Sequence, residues 1–227
     1  MGLYIVTTPI GNLLDITYRA VECLRASDII ACEDTRITSK LLKHFGISSK
    51  PMLPYRDDNE IRVTDRLISE LQDGKNVCLV SDAGTPCISD PGFRIVRAAR
   101  KFGISVTVIP GACALVSALS GAGLPSDGFL FLGFLPAKSS ARIKIFQKYF
   151  DFEYTLIFYE SCHRLLKFLS DAVAVFGPTR CVCVAKEITK IHEHYFVGPL
   201  GTVYEEVSKS AVKGEFVVII APNRFEI

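Results

Sequence analysis

The chain has 227 residues, of which 49% are hydrophobic and 22% are charged, and its formal net charge is +2. This composition excludes an intrinsically disordered chain, and the near-neutral charge excludes a whole-molecule field that would attract nucleic acid or a membrane surface. The eight cysteines include no C-x-x-C pair and lie mostly inside apolar runs, so the sequence predicts reduced core cysteines and no metal site. No apolar stretch reaches the roughly 18 residues of a membrane span, and the first residues do not resemble a leader, so we expect a cytoplasmic protein.

Along the first half, short apolar runs alternate with longer periodic segments, which predicts a parallel α/β sheet. The predicted strands are residues 3–7, 28–32, 50–54, 76–81 and 105–109. The predicted helices are residues 17–25, 37–45, 61–72 and 93–102. We expect Asp90 either to cap the last of these helices, with Pro91 at its first position, or to serve a ligand.

A helix of small residues, predicted over 112–122, marks the domain boundary, so residues 1–114 and 115–227 are expected to form two α/β domains. The predicted strands of the second half are residues 129–134, 154–159, 180–185, 194–197 and 216–220. Strands between residues 180 and 197 follow one another without a long helix, which indicates antiparallel pairs within a mixed sheet.

Residues 79–92, LVSDAGTPCISDPG, have the composition of a loop that holds a ligand. Its glycines and prolines end a buried strand at the edge where open α/β sheets bind ligands, and Asp82 comes directly after that strand. Residues 7–12 make a similar turn after the first strand, with an ordinary strand–helix loop as the alternative interpretation. Neither loop contains the glycine pattern of a dinucleotide-binding or P-loop site.

Adjacent acids also follow the second strand, where Glu33 and Asp34 precede Arg36. At the end of a strand, these residues can position a substrate or a ribose hydroxyl, or Asp34 and Arg36 can simply form an internal capping pair. The sequence leaves both interpretations open.

Two later strand ends are less specific. Glu160 ends the strand in TLIFYESCHR, and we interpret Ser161 as a helix cap because no G-x-S-x-G elbow surrounds it. Glu187 ends the next strand. His192 and His194 alternate beyond it, but two histidines without a third ligand do not predict a zinc site.

A basic helix is predicted over residues 138–148, with Lys138, Arg142 and Lys144 close together on its surface. Such a helix is either an ordinary solvated face or a contact for phosphates, which its first serines can also bind.

Eight motifs cover nearly the whole chain in a fixed order: TTPIGNLLDIT, ACEDTR, LVSDAGTPCISDPGF, VIPGACALVSALSGAGLPSDGF, LGFLPAK, TLIFYESCHR, AKEITK and KGEFVVIIAP. Together they resemble the ribosomal small-subunit RNA 2′-O-ribose cytidine methyltransferases, a group within the tetrapyrrole-methylase-like class. The resemblance implies two α/β domains with S-adenosylmethionine in the cleft between them, usually in a homodimer. It also implies small-subunit ribosomal RNA, free or in the assembled subunit, as the partner, and favours the basic helix as an RNA contact.

The resemblance further implies individual site residues. The expected cofactor contacts are Pro9, Asp82, Ala83, Gly84, Ile88, Cys113, Ala114, Tyr159, Ala185 and Gly214. Because a ribose hydroxyl is a weak nucleophile, a carboxylate is expected to accept its proton. The candidates for this base are Glu33, Asp34, Glu160 and Glu187, which the sequence does not rank, and Arg36 is expected to position a phosphate or tune them.

Two other functions stay open. The same fold class includes methyltransferases of tetrapyrrole rings and of a modified histidine, but those resemble this chain only at the cofactor loops. A non-catalytic RNA-binding factor is the other alternative, and binding of S-adenosylmethionine would distinguish it. The chain also ends at Ile227, whereas many members of the group continue, which leaves its RNA affinity open.

Overall fold

The computed structural model describes residues 1–226 and divides the chain into two compact units. Unit 1 is Met1–Cys113, and unit 2 begins at Ala114. The domain boundary predicted from the sequence, after residue 114, lies one residue further along the chain.

Unit 1 is a parallel α/β layer structure. Its strands are β1 (Gly2–Val6), β2 (Ile29–Cys32), β3 (Met52–Pro54), β4 (Asn76–Val80) and β5 (Val106–Ile109). Its α-helices are α1 (Tyr18–Ala26), α2 (Thr35–His44), α3 (Glu60–Gln72) and α4 (Phe93–Lys101). The strands form one sheet in the order β3-β2-β4-β1-β5 with every pair parallel, which confirms the predicted fold of this half.

The sheet of unit 1 is covered on both faces, which is why its strands are continuous apolar runs. Successive side chains of a strand point to opposite faces, so Leu3 packs with Leu67 of α3 and Ile95 of α4. Val6 of the same strand packs instead with Leu24 of α1 on the other face. With both faces occupied by helices, the carboxyl edge of the sheet is the place left for a binding site.

Unit 2 is built on a mixed sheet. Its strands are β6 (Phe129–Phe134), β7 (Thr155–Ser161), β8 (Cys181–Lys186), β9 (His194–Pro199) and β10 (Glu215–Ile220). Its helices are α5 (Ala114–Gly121), α6 (Ser139–Lys148), α7 (Leu165–Phe176) and α8 (Leu200–Lys209). In the order β6-β7-β10-β8-β9, β6 pairs parallel with β7 and the other neighbours pair antiparallel, as predicted for this half.

The main core of unit 2 lies between this sheet and the helices α6, α7 and α8. The rings of Phe146, Phe158 and Phe168 have no solvent exposure and meet edge to face, with ring centroids 5.1 to 5.8 Å apart. The opposite face of the sheet receives α5, which contacts β7 and β10.

Several local predictions are wrong. The sequence patterns do not predict α7 or α8, although both segments are helical in the structure. Ser161 belongs to β7 and does not cap a helix. The N-cap position of α7 is occupied by Arg164 instead. Asp90 does not cap α4, since Gly92 occupies that position with φ +144°.

The basic helix predicted over residues 138–148 forms as α6, but Arg142 does not face solvent. Its side chain is 1% exposed, and its Nε donates a 2.8 Å hydrogen bond to Oδ2 of Asp171. Its guanidinium also donates to the carbonyl of Pro136 over 3.3 Å. The prediction that Arg142 contacts phosphate is therefore wrong, because the guanidinium is committed to α7.

Replacing Asp171 tests this assignment. We expect Asp171→Ala to lower the free energy of unfolding by about 3–5 kcal/mol, because it leaves Arg142 charged and unpaired inside the fold. Urea unfolding measures the loss. The control Glu205→Ala breaks an exposed pair with Lys209 and is expected to cost less than about 1 kcal/mol. Equal losses in the two variants would contradict a buried structural pair.

Candidate functional site

Three loops of unit 1 are joined at the carboxyl edge of its sheet. The loop after β1 and the loop after β4 exchange two backbone hydrogen bonds, from Thr8 to Gly84 over 2.9 Å and from Gly84 to Thr8 over 3.1 Å. The loop after β5 joins them, because the Thr85 hydroxyl donates to the Ala112 carbonyl over 3.2 Å. Pro9, Gly84 and Cys113, three of the predicted cofactor contacts, are each at or next to these junctions.

Gly84 is a position at this edge that favours glycine. Its φ is +84°, and a Cβ there would lie 3.2 Å from the Ile10 side chain and 3.7 Å from the Ala112 carbonyl oxygen. A side chain would be strained at this φ and would crowd Ile10, so glycine suits the junction. Ala83 beside it is exposed, and Ile88 later in the loop is 38% exposed, so both predicted contacts reach the surface.

Asp34 and Arg36 form the internal pair that the sequence left open. The Asp34 carboxylate accepts from the Arg36 backbone over 2.8 Å and from its Nε over 3.0 Å, and it caps α2. The Arg36 guanidinium and its backbone hydrogen bond hold the pKa of Asp34 well below its usual range. The Asp34 N–H in turn donates to Oδ1 of Asp82 over 3.0 Å, which ties the loop after β2 to the loop after β4.

Glu33, Asp82 and Asp90 form an acidic cluster at this edge. Burial, followed by the charges of Asp90, Asp82 and Asp57, raises the pKa of Glu33 to about 7. Burial also raises the pKa of Asp90 to about 6 and raises that of Asp82. Oε1 of Glu33 is buried and accepts no hydrogen bond from residues 1–226. Glu33 is thus a carboxyl group able to exchange a proton near neutral pH.

Glu60 is a residue of this region that the sequence analysis does not single out. Its buried carboxylate accepts from the backbone N–H groups of Gly92 and Arg94 over 3.2 and 3.4 Å. It also accepts from the Tyr55 hydroxyl over 3.1 Å and from Nε of Arg94 over 3.0 Å. Glu60, from the neighbouring helix α3, therefore caps α4 and fixes the end of the loop that carries Asp82. No local sequence pattern reveals a contact across more than thirty residues.

In unit 2, the predicted contacts Tyr159 and Ala185 lie in one row across the sheet. Both are opposite Val217 of β10, so their side chains share a face. The hydroxyl oxygen of Tyr159 accepts a 3.2 Å hydrogen bond from the backbone of Leu115, the residue after Ala114. The row is therefore on the face that α5 covers, and three of the four predicted contacts of unit 2 lie together there.

Gly214, the fourth, lies beneath Glu187. Its φ is +93°, and a Cβ there would approach the Glu187 carboxyl group to 2.3 Å. That carboxylate accepts from the Glu215 backbone over 3.0 Å and from Lys190 over 2.8 Å. Partial burial acts to raise the pKa of Glu187, but these hydrogen bonds outweigh it and lower the pKa. Glu187 therefore holds the turn after β8 as a stable carboxylate.

Glu160 lies on the other face of the sheet. It is paired with Phe216 in register, and Phe216 belongs to the core against α6, α7 and α8. Its carboxylate is 3.3 Å from Nε of Arg164 and accepts from the Ser161 backbone over 2.8 Å. The structure does not bring Glu160 to Tyr159 and Ala185.

Residues 1–226 contain no cluster of three or more His, Cys, Asp or Glu side chains arranged to bind a metal ion. His192 and His194 are exposed, and His192 lies before β9 rather than on a strand face with His194. Over the same residues, no helix combines the length and the apolar character that crossing a membrane requires.

The chain is similar in sequence to known proteins. Residues 2–204 match the family described as Tetrapyrrole (Corrin/Porphyrin) Methylases. The chain is 51% identical to the Ribosomal RNA small subunit methyltransferase I of Escherichia coli O157:H7, over 98% of this chain and 78% of that protein. It is 48% identical to the protein of the same name from Synechocystis sp. strain PCC 6803, over 96% of this chain and 78% of that one.

Solved structures resemble the fold. A crystal structure of diphthine synthase superposes with a TM-score of 0.74 at 15% identity, covering 96% of this chain and 89% of that one. The uroporphyrin-III C-methyltransferase of Thermus thermophilus, complexed with S-adenosylhomocysteine, superposes with a TM-score of 0.66 at 16% identity, covering 97% of each chain.

Replacing Glu33 tests the acidic cluster. Because the pKa of Glu33 is raised from 4.5 to about 7 in the folded state, stability falls as the pH rises between these two values and the loss is complete above about 7. We expect Glu33→Gln to raise the melting temperature at pH 8, equivalent to roughly 1–3 kcal/mol, and to change it little at pH 5. The exposed Glu22→Gln, in the same unit, serves as control and should give no pH-dependent difference. If Glu33→Gln is less stable than wild type at pH 8, the ionised Glu33 side chain does not destabilise the fold and the prediction is wrong.

Proposed function

Because the chain belongs to the Tetrapyrrole (Corrin/Porphyrin) Methylases family, we propose that it is a methyltransferase that uses S-adenosylmethionine to methylate a ribose 2′-hydroxyl of a cytidine in small-subunit ribosomal RNA. The observation that carries the proposal is the near-full-length likeness to proteins named Ribosomal RNA small subunit methyltransferase I. The ribose and cytidine specificity comes from the group that the eight motifs resemble.

The residues present suit S-adenosylmethionine. Ala83 and Ile88 in the loop after β4 are exposed at the sheet edge, and the buried Oε1 of Glu33 lacks a donor within residues 1–226. The acidic cluster favours a ligand that carries an ammonium and a sulfonium charge. We propose that Pro9, Asp82, Ala83, Gly84, Ile88 and Cys113 in unit 1, and Ala114, Tyr159, Ala185 and Gly214 in unit 2, contact it. S-adenosylmethionine supplies the electrophilic methyl group.

Among the candidate bases, Glu33 is best suited to take the proton of the ribose hydroxyl. A general base works best when its pKa is near the working pH, and the pKa of Glu33 is about 7. Asp34 and Glu187 are each held as carboxylates by a cation and backbone N–H groups, and their pKa values are lowered. Glu160 is buried against the helices of unit 2. We therefore assign the base to Glu33 and give Arg36 the role of holding Asp34.

The two alternatives have less support. The structures that act on tetrapyrroles or make diphthine share the fold at under 20% identity, whereas the likeness to the ribosomal RNA enzymes is far higher. A binding factor without catalysis does not require a carboxyl group whose pKa is raised to about 7, as that of Glu33 is. We also propose that the protein acts as a homodimer in the cytoplasm, as in the group that its motifs resemble.

Transfer of a labelled methyl group tests the proposed function. The protein is incubated with labelled S-adenosylmethionine and small ribosomal subunits that lack the modification, and the product is digested and mapped. We expect label on a ribose 2′-oxygen of a cytidine. Uroporphyrinogen III and diphthine precursor protein serve as control acceptors. Label on either control and none on RNA would overturn the proposed substrate, and binding of S-adenosylmethionine without any transfer would contradict the catalytic role.

The pH dependence of the reaction tests Glu33 separately. We expect kcat/KM to rise about tenfold per pH unit below pH 7 and to level off above it, because the base must be ionised. Glu33→Gln should lower kcat by about 10²- to 10⁴-fold and abolish the rise of kcat/KM with pH below pH 7. Asp34→Asn is the matched control, and its kcat/KM should still rise with pH up to about 7. If kcat/KM of Glu33→Gln shows the same rise, the base is another residue.

A further inference from the structure

The outer face of α4 is basic. Phe93, Arg94, Arg97, Arg100 and Lys101 are all exposed, while Ile95 and Ala99 on the opposite side are fully buried. At about 100° per residue, the other exposed residues fall within roughly 60° of Arg97 around the helix axis. We call these five exposed residues the α4 basic face.

The positive charge of this face is not neutralised locally. Arg94 pairs with Glu60 over 3.0 Å, but Arg97, Arg100 and Lys101 have no carboxylate within 4 Å among residues 1–226. The sequence contains no Asp or Glu between Asp90 and Asp127. Arg100 and Lys101 lie in the last turn, where cations favour the helix dipole, but Arg97 lies in the middle of the helix.

Like charges three and four residues apart repel one another, so this arrangement costs stability in the free protein. Arg97 is three residues from both Arg94 and Arg100 and four from Lys101. A polyanion removes this repulsion when it binds, and the spacing of cations along the helix suits the regular phosphates of a nucleic acid strand.

Phe93 adds an aromatic surface at the start of the same face. Its side chain is 67% exposed, although it follows Gly92 directly at the end of the loop that carries the proposed cofactor contacts. Aromatic rings beside cations are the usual platform for unstacked bases. The Glu60 hydrogen bonds to Gly92 and Arg94 hold this end of the helix in place.

The acidic cluster gives a reason for a separate RNA contact. Glu33, Asp82 and Asp90 repel phosphates at the sheet edge, so the RNA backbone must be held by cations elsewhere. The α6 helix offers fewer of them, because Arg142 is buried against Asp171. The α2 helix carries the exposed Lys40 and Lys43 on the opposite face of the sheet, but without an exposed aromatic residue at its first position.

We propose that the α4 basic face binds the sugar–phosphate backbone of the RNA substrate, with Phe93 stacking on a base next to the target nucleotide. This proposal rests on the proposed function, since it takes ribosomal RNA as the substrate. The eight motifs do not assign the α4 basic face as an RNA contact. This face lies entirely within unit 1.

Charge removal on α4 and α2 tests the proposal with a matched pair of variants. Arg97→Gln/Arg100→Gln and the control Lys40→Gln/Lys43→Gln each remove one mid-helix and one last-turn cation. Affinity is measured for unmodified small-subunit ribosomal RNA and for assembled small subunits over a range of salt concentrations. Thermal unfolding and binding of S-adenosylmethionine are measured on the same proteins.

We expect the α4 variant to bind RNA about tenfold or more weakly, with the slope of log affinity against log salt reduced by about 1.4–1.8. The α2 variant should match wild type. Phe93→Ala should weaken RNA binding about fivefold or more with an unchanged salt slope, because stacking releases no counterions. Affinity for S-adenosylmethionine should stay that of wild type in all three. Melting temperature should not fall in any of them, and it should rise slightly in the α4 variant because the charge repulsion is relieved.

The other outcomes overturn the proposal in distinguishable ways. Equal losses in the two double variants, or no loss in either while wild type methylates RNA, would reject the α4 face and leave the proposed function standing. A loss for assembled subunits but not for naked RNA would assign the face to a ribosomal protein. A wild-type protein that neither binds nor methylates RNA would reject the proposed function, and this inference with it.

Discussion

The carboxylate of Glu60 is the contact on which the candidate site most depends. It comes from α3 and satisfies the first free N–H groups of α4, so two helices and the loop between β4 and α4 are held as one piece. That loop contains Cys87 and Ser89 with φ of 72° and 63°, conformations that cost free energy for residues other than glycine. Several charge-assisted hydrogen bonds to a single buried group offset such strain, and the loop keeps a defined shape for a ligand.

The sequence predicted the layers well and the long-range contacts poorly. Alternation of apolar runs with periodic segments identified every strand and the parallel and mixed sheets. It did so because burial on one or both faces of an element produces a regular pattern of apolar residues in the sequence. Helices α7 and α8 were not predicted. Arg142 was assigned to solvent because a helical pattern does not tell which basic residue meets Asp171 on another helix. At the candidate site, the loops were identified from their glycines and prolines, but Glu60 and the ranking of the carboxylates needed the fold.

The charges of unit 1 are separated in a way that suits two different ligands. Carboxyl groups gather where the strands of the sheet end, which is the place proposed for the cationic methyl donor. Arginines gather on the outside of α4, where a polyanion is not repelled by those acids. One helix connects the two regions, since α4 begins at the loop of the first and carries the second along its length. A near-neutral net charge therefore conceals two local fields of opposite sign.

The strand order of unit 1 also governs when it can fold. Strand β1 pairs with β4 and β5, which begin only at Asn76 and Val106. Strand β4 is also a partner of β2. During synthesis from the amino terminus, β1 therefore has no partner until most of the unit has left the ribosome. Non-local parallel pairing of this kind is slow to form, and until it forms the apolar strand β1 is exposed to aggregation. A protein proposed to modify ribosomes is thus expected to complete the folding of its own first unit only late in its synthesis on a ribosome.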